Sequence, residues 1–198
     1  MIMKNNIKNS GFTLVETLVA VSIFSVSILG LLAVLSKGIA DTNYAKTKVT
    51  ASYLAQEGIE YMRNLRDTFV LYDATSSQNG WNGPNGFINA LTKPQAQCDV
   101  GDGCYFDAQS VHYGLSFQPM AALTINHCVE SCPPLLYDSA TGEYDYVLPG
   151  TNSGFTRSIQ INHQVGTNEI KISSTVYWNQ GSGSYNISFS ETLFNWVE

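Results

Sequence analysis

Residues 8–16 read KNSGFTLVE, and residues 17–35 continue as TLVAVSIFSVSILGLLAVL. Between Phe12 and Leu35 the single ionisable side chain is that of Glu16. As a helix this apolar run is about 36 Å long, which is enough to cross the hydrocarbon core of a bilayer. The remainder of the chain is polar and rich in Gly, Asn and Ser. The sequence therefore predicts a membrane anchor followed by one water-soluble part.

The segment before the apolar run is basic, since it carries Lys4 and Lys8 and no acid. This pattern predicts a cytoplasmic N-terminus, with the water-soluble part, beginning near Asp41, outside. A secretory signal peptide fits less well, because the run is long and no A-x-A-like site follows it closely. A plain single-span anchor leaves Glu16 unexplained, as a carboxylate at mid-bilayer is unfavourable by roughly 2.5–3.5 kcal/mol.

Residues 8–20 resemble the prepilin signature of type IV pilins and pseudopilins. The resemblance implies that a prepilin peptidase cleaves between Gly11 and Phe12 and then methylates the new amino group of Phe12. Gly11 suits this role, because a residue without a side chain lets a protease approach the backbone closely. The resemblance also implies an assembly role for Glu16, the fifth residue of the mature chain.

The assembly role of Glu16 has a simple electrostatic basis. The Phe12 amine is a cation at the N-terminus of a helix, where the helix dipole disfavours it. Our hypothesis is that Glu16 of one subunit pairs with the Phe12 amine of the next and so sets the register of assembly. The alternative is that Glu16 lies at the membrane interface in contact with water.

The helix is predicted to continue beyond the membrane, because no proline occurs before Pro84. An apolar stripe at helical spacing indicates an amphipathic helix over residues 36–67, packed on its own sheet. The stripe consists of Ala51, Leu54, Gly58, Tyr61 and Leu65. Residues 53–67 resemble the end of the corresponding helix in minor pilins of the type IV pilus modification group.

Residues 68–134 are predicted to be rich in loops, because residues 76–86 are dense in Gly, Asn, Ser and Pro. Trp81 lies among these turn-forming residues. It is a candidate surface-contact residue, although a tryptophan in such surroundings more often packs against the core.

The same region holds four cysteines in two close pairs: Cys98, Cys104, Cys128 and Cys132. Four cysteines allow three pairings, and in an exported domain the short spacings favour disulfides 98–104 and 128–132. Zinc bound with the help of His112 or His127 is an alternative, but neither spacing is the C-x2-C of common structural zinc sites.

Calcium is a further alternative in this region, given Asp99, Asp102 and Asp107. Their spacing matches no EF-hand loop, and acids in a loop are more often simply solvated. We therefore expect neither a metal nor a cofactor.

Residues 135–198 are predicted to form an antiparallel β-sheet. Alternating apolar and polar residues mark strands at residues 158–162, 170–172, 175–178 and 185–194, with turns at residues 166–168 and 180–184. A hairpin around Thr141 and Gly142 is predicted to add two more strands. The expected fold class is α+β and pilin-like: a long N-terminal helix, transmembrane in its first half, packed on a C-terminal antiparallel sheet.

Net charge and the lack of catalytic motifs argue against two classes of function, nucleic-acid binding and catalysis. With 10 Lys and Arg against 16 Asp and Glu, the net charge is −6, so nucleic-acid binding is not expected. His112, His127 and His163 are scattered and belong to no nucleophile or metal motif, so we predict no catalytic residues and no enzyme activity.

The function that the resemblance implies is that of a structural subunit, most specifically a minor pilin, of a type IV pilus-like filament. Alternatives are a pseudopilin of a type II secretion or competence system, a major pilin, or an adhesin or ligand-binding head on a pilin anchor. The implied partners are other pilin subunits, the prepilin peptidase, the membrane and an inner-membrane assembly platform. The precursor is expected in the inner membrane, and the mature protein in an extracellular pilus or a periplasmic pseudopilus.

Overall fold

The computed structural model describes residues 11–72, 80–106, 125–146, 149–163 and 168–196. The chain divides into two compact units, Met1–Lys46 and Thr47–Glu198, and we term the second unit the head domain. The long helix α1, Leu14–Tyr72, begins in the first unit and ends in the second.

The end of α1 lies beyond the predicted boundary. The sequence predicts that the helix ends near Asp67, but α1 continues to Tyr72. Phe69 and Val70 are both buried, so one further helical turn adds apolar surface to the core. This burial explains why the helix continues past the polar residues Asp67 and Thr68.

The buried stripe of α1 in the head domain is broader than predicted. Tyr61, assigned to the stripe, lies half-buried at its edge, where its ring stacks on that of Phe106 with the centroids 3.5 Å apart. The buried residues recur three and four positions apart, as expected for a helix face against a sheet. They are Ala51, Leu54, Ala55, Gly58, Ile59, Met62, Leu65, Phe69 and Val70.

The region predicted to be rich in loops contains three regular elements. These are the short helix α2, Phe87–Thr92, and the strands β1, Cys104–Phe106, and β2, Ile125–His127. The prediction that the sheet begins at residue 135 is therefore wrong. Strands of three residues are too short to show an alternating pattern, and β1 is held in the sheet by pairing of Cys104 with Ile159, far along the chain.

The remaining strands confirm the predicted antiparallel sheet and the α+β class. They are β3, Pro134–Tyr137; β4, Tyr144–Asp145; β5, Thr151–His163; β6, Glu169–Gln180; and β7, Gly183–Phe194. β3 and β4 form the predicted hairpin, in which Gly142 has a φ of +79°.

β5 is the central strand of the sheet. It pairs with β1 and β3 on one side and with β6 on the other, and β6 in turn pairs with β7. Residues 47–72 of α1 pack on one face of this sheet. At Gly58 the approach is so close that an added Cβ would lie 2.9 Å from Cδ1 of Ile159.

A buried arginine joins the helix to the sheet. Arg157, on β5, is only 2% exposed, and its guanidinium donates hydrogen bonds to the Leu54 carbonyl at 3.2 Å and to the Glu57 carboxylate at 2.9 Å. The same guanidinium lies 4.7 Å from the centroid of the Phe106 ring. A charge this deeply buried is tolerated only when hydrogen bonds and an opposite charge compensate it.

Candidate processing and assembly site

The helix begins at a specific local signal, Thr13. The backbone N–H of Glu16 donates to Oγ1 of Thr13 at 3.3 Å, and the N–H of Thr17 donates to the Thr13 carbonyl at 3.2 Å. Thr13 is therefore the N-cap of α1, and Thr13 and Glu16 have the spacing of a capping box. Our sequence reasoning missed this role of Thr13, although the Thr-x-x-Glu pattern signals it.

The bond between Gly11 and Phe12 lies outside the helix as a result. Both residues are exposed and neither belongs to a helix or strand. In the described part of the chain, a Cβ added at Gly11 would meet no atom within 4 Å. Packing of the described residues therefore does not require glycine at residue 11. A need for glycine there would come from an external molecule, such as a protease.

Glu16 lies in the first turn of α1 and is exposed. Among the described residues, no group of this chain forms a hydrogen bond or ion pair with its carboxylate. A carboxylate is favourable at the N-terminus of a helix, and this one is accessible to a cation from outside the chain.

The first half of α1 is an exposed apolar surface. Within the described residues, one helix is long and apolar enough to span a membrane, and it lies near the N-terminus. Ser22, Ser25 and Ser27 donate their hydroxyls to backbone carbonyls of the preceding turn, so these polar groups are satisfied within the helix itself. Such internal pairing makes the helix compatible with hydrocarbon.

The comparison with protein families agrees with this geometry. The family model of the prokaryotic N-terminal methylation motif matches residues 6–32, which include the cap and the exposed bond before it. The chain carries the class III signal of type IV pilins. This pilin signal implies a substrate of the prepilin peptidase that assembles with other pilin subunits, and thus a structural protein with a membrane-anchored precursor. No curated protein and no solved structure matches the chain significantly.

Of the two roles considered for Trp81, the structure contradicts surface contact and agrees with packing against the core. Its side chain is only 4% exposed, and its ring packs against Phe87, with the centroids 5.4 Å apart. The Trp81 carbonyl accepts a hydrogen bond from the N–H of Ile88, in the first turn of α2. The glycine-rich loop therefore directs the indole into the core, because burying this large apolar surface is favourable.

The four cysteines form the two disulfides between near neighbours, Cys98–Cys104 and Cys128–Cys132. With their sulfurs in disulfides, they do not supply thiolate ligands for the zinc alternative. His112 and Asp107 lie outside the described residues. Within the described ranges, no group of three or more His, Cys, Asp or Glu side chains is arranged to hold a metal ion.

Proposed function

We propose that this protein is a prepilin whose mature form begins at a methylated Phe12 and is a minor subunit of a type IV pilus-like filament. The observation that carries the proposal is the match of residues 6–32 to the methylation motif. Two structural features support it: the Gly11–Phe12 bond is exposed outside the helix, and Glu16 offers its carboxylate outward one turn later. The resemblance of residues 53–67 to minor pilins supports the finer assignment.

Assembly follows from the charges and the apolar surface of the first unit. Cleavage creates a cation at Phe12, and the Glu16 carboxylate of a neighbouring subunit neutralises it. The apolar side chains between Phe12 and Leu35 exchange lipid contacts for contacts with neighbouring helices. Among the described residues, the head domain has its own hydrophobic core, which does not include the segment between Phe12 and Leu35. Subunits therefore associate through this segment without refolding the head domain.

The experiment that tests this function is mass spectrometry of filaments sheared from native cells. A methylated peptide beginning at Phe12, present at trace stoichiometry, is the expected result for a minor pilin. The same peptide at high stoichiometry would indicate a major pilin, and processed protein found only in membranes would indicate a pseudopilin. An uncut N-terminus in the native cells would contradict the proposal altogether.

The role of Glu16 has its own test, the variant Glu16→Gln, which keeps the size of the side chain and removes its charge. We expect normal cleavage after Gly11 but loss of the processed protein from sheared filaments, since the Phe12 amine then lacks its counter-charge. The matched control is Asp41→Asn, which removes another exposed carboxylate of the same helix. Wild-type incorporation of Glu16→Gln into filaments would refute the pairing.

A further inference from the structure

The sheet has a second face, which α1 does not cover. On β6 the buried residues Ile170, Ile172, Ser174 and Val176 face the helix, and the residues that alternate with them face the opposite side. The register of β6 with β5 and β7 continues this face across three long strands. We term it the outer face, and on β6 it includes Glu169, Lys171, Ser173, Thr175 and Tyr177.

The outer face is an ordered array of hydroxyl groups. The Oγ atoms of Ser173 and Ser190 lie 2.8 Å apart, and Oγ1 of Thr175 donates to Oγ of Ser188 at 2.9 Å. Successive pairs along antiparallel strands are about 7 Å apart, because two residues separate them. These cross-strand hydrogen bonds orient the hydroxyls before any ligand binds, which lowers the entropy cost of binding.

A rim borders the outer face along β5, and the two together form a trough. The rim consists of residues 99–102 and 130–132. It is attached to β5 where Oγ of Ser158 donates to the Asp102 carbonyl and Nε2 of Gln160 donates to the Gly101 carbonyl at 3.0 Å. Two hollows of 400 and 340 Å³ lie along the rim, and Gln160 lines both. The two hollows therefore adjoin at Gln160.

Exposed aromatic rings occur at both ends of the outer face. Tyr177 is 47% exposed and lines the larger hollow. Phe194 is 54% exposed, and it pairs with Glu169, a residue of the outer face at the opposite end of β6. Between these rings the floor is polar.

The charge of the trough indicates its ligand. Among the described residues that line the two hollows, Lys171 is the cation, whereas the rim contributes the acids Asp99, Asp102 and Glu130. These acids would repel an anionic polymer. Among the described residues, the trough also lacks the apolar centre that is typical of protein–protein interfaces. A ligand with many hydroxyls, no net charge and apolar ring faces matches the hydroxyls, the amides and the aromatic rings.

We propose that the trough binds an uncharged oligosaccharide chain, with a sugar ring stacked on Tyr177 and sugar hydroxyls bonded to Gln160 and the paired serines. This inference goes beyond the proposed function and holds for a pilin or a pseudopilin alike. It assigns to the head domain a ligand class that the N-terminal signal does not specify.

The test is binding of the detergent-solubilised full-length protein to an array of uncharged, sialylated and sulfated glycans. We expect retention of uncharged glycans, little change between low and high salt, and binding at least about tenfold weaker for Tyr177→Ala, which loses the stacked ring. Gln160→Ala is expected to weaken the same binding. The matched control is Tyr53→Ala, which removes a tyrosine of α1 that is 68% exposed.

Thermal unfolding of each variant separates loss of the site from loss of the fold. Three results would overturn the proposal: no uncharged glycan retained by the wild-type protein, equal retention by folded Tyr177→Ala, or retention restricted to sialylated and sulfated glycans. Filament incorporation is measured separately, so failure here leaves the proposed function standing.

Discussion

At the level of single residues, Arg157 is the most deeply buried charged side chain among the described residues of the head domain. It is 2% exposed, whereas its partner Glu57 is 46% exposed. Removing one partner of such a pair has unequal consequences. Without Arg157, the Glu57 carboxylate is still solvated, but without Glu57, a buried guanidinium loses its counter-charge.

We therefore expect Glu57→Ala to lower the free energy of unfolding by about 2–3 kcal/mol, and Arg157→Met by less. Methionine retains much of the apolar stem, so the replacement leaves little empty volume. The measurement is denaturant unfolding of both variants and of the double variant, which should recover part of the loss of Glu57→Ala.

Glu60→Ala is the control for this pair, because Glu60 forms its ion pair with the more exposed Arg63 on the same helix. Such surface pairs contribute only about 0–1 kcal/mol. A smaller loss for Glu57→Ala than for Arg157→Met would contradict the assignment of the buried charge.

A second prediction at this scale concerns Tyr146 and the pH dependence of the free energy of unfolding. Burial raises the pKa of the Tyr146 phenol, although the nearby Arg157 opposes the shift. The folded state therefore binds the phenolic proton of Tyr146 more tightly than the unfolded chain does. The resulting contribution to the free energy of unfolding is lost as the pH rises above about 10. We expect the free energy of unfolding to fall less steeply over this range in Tyr146→Phe, measured by denaturant unfolding at several pH values.

The control for the alkaline experiment is Tyr177→Phe, which removes an exposed phenol of the outer face. A variant Tyr146→Phe with the same alkaline slope as the wild type would show that another group causes the loss.

At the level of elements, the two disulfides differ in what they hold together. Cys98 and Cys104 are fully buried; the Cys98 carbonyl accepts a hydrogen bond from the N–H of Ile161, and Cys104 pairs with Ile159. This disulfide therefore fastens the start of β1 to the centre of the sheet. The disulfide Cys128–Cys132 instead closes a short loop whose residue Val129 is exposed.

We expect Cys98→Ala/Cys104→Ala to cost about 3 kcal/mol of stability and Cys128→Ala/Cys132→Ala about 2 kcal/mol. Closing such short loops contributes about 2 kcal/mol in the chain-entropy description. The first pair also removes two sulfurs from the main hydrophobic core cluster, to which the buried Cys128 and Cys132 do not belong. Denaturant unfolding under non-reducing conditions measures both. A larger loss for the second pair would show that the first does not fasten β1.

At the level of the whole molecule, the charge balance argues against DNA binding. The chain carries 16 acids against 10 basic residues, and the proposed cleavage after Gly11 would remove Lys4 and Lys8. We expect the mature protein at about 10 μM to retain no duplex DNA at physiological salt, because non-specific binding depends on clusters of basic side chains. Gel retardation measures this, and DNA retention would favour the competence alternative.

Much of this architecture can be predicted from the sequence, because it depends on neighbours along the chain. The pilin signal is a short local pattern, the first half of α1 is a continuous apolar run, and the near cysteine pairs are only six and four residues apart. Burial alternates along most of the strands β6 and β7, each of 12 residues, so these strands can be recognised from the sequence pattern alone.

Other features depend on contacts between residues far apart, and only the tertiary structure decides them. Trp81 turns inward because α2 and Phe69 build a pocket of aromatic rings around Phe87, which its own glycine-rich surroundings do not signal. Arg157 is buried because Glu57, one hundred residues earlier in the chain, lies beside it. By itself, then, the sequence determined the pilin signal and the apolar first half of α1, since those patterns are local. The packed sheet decided which side chains are buried and which face remains open, since burial is a property of surfaces brought together by folding.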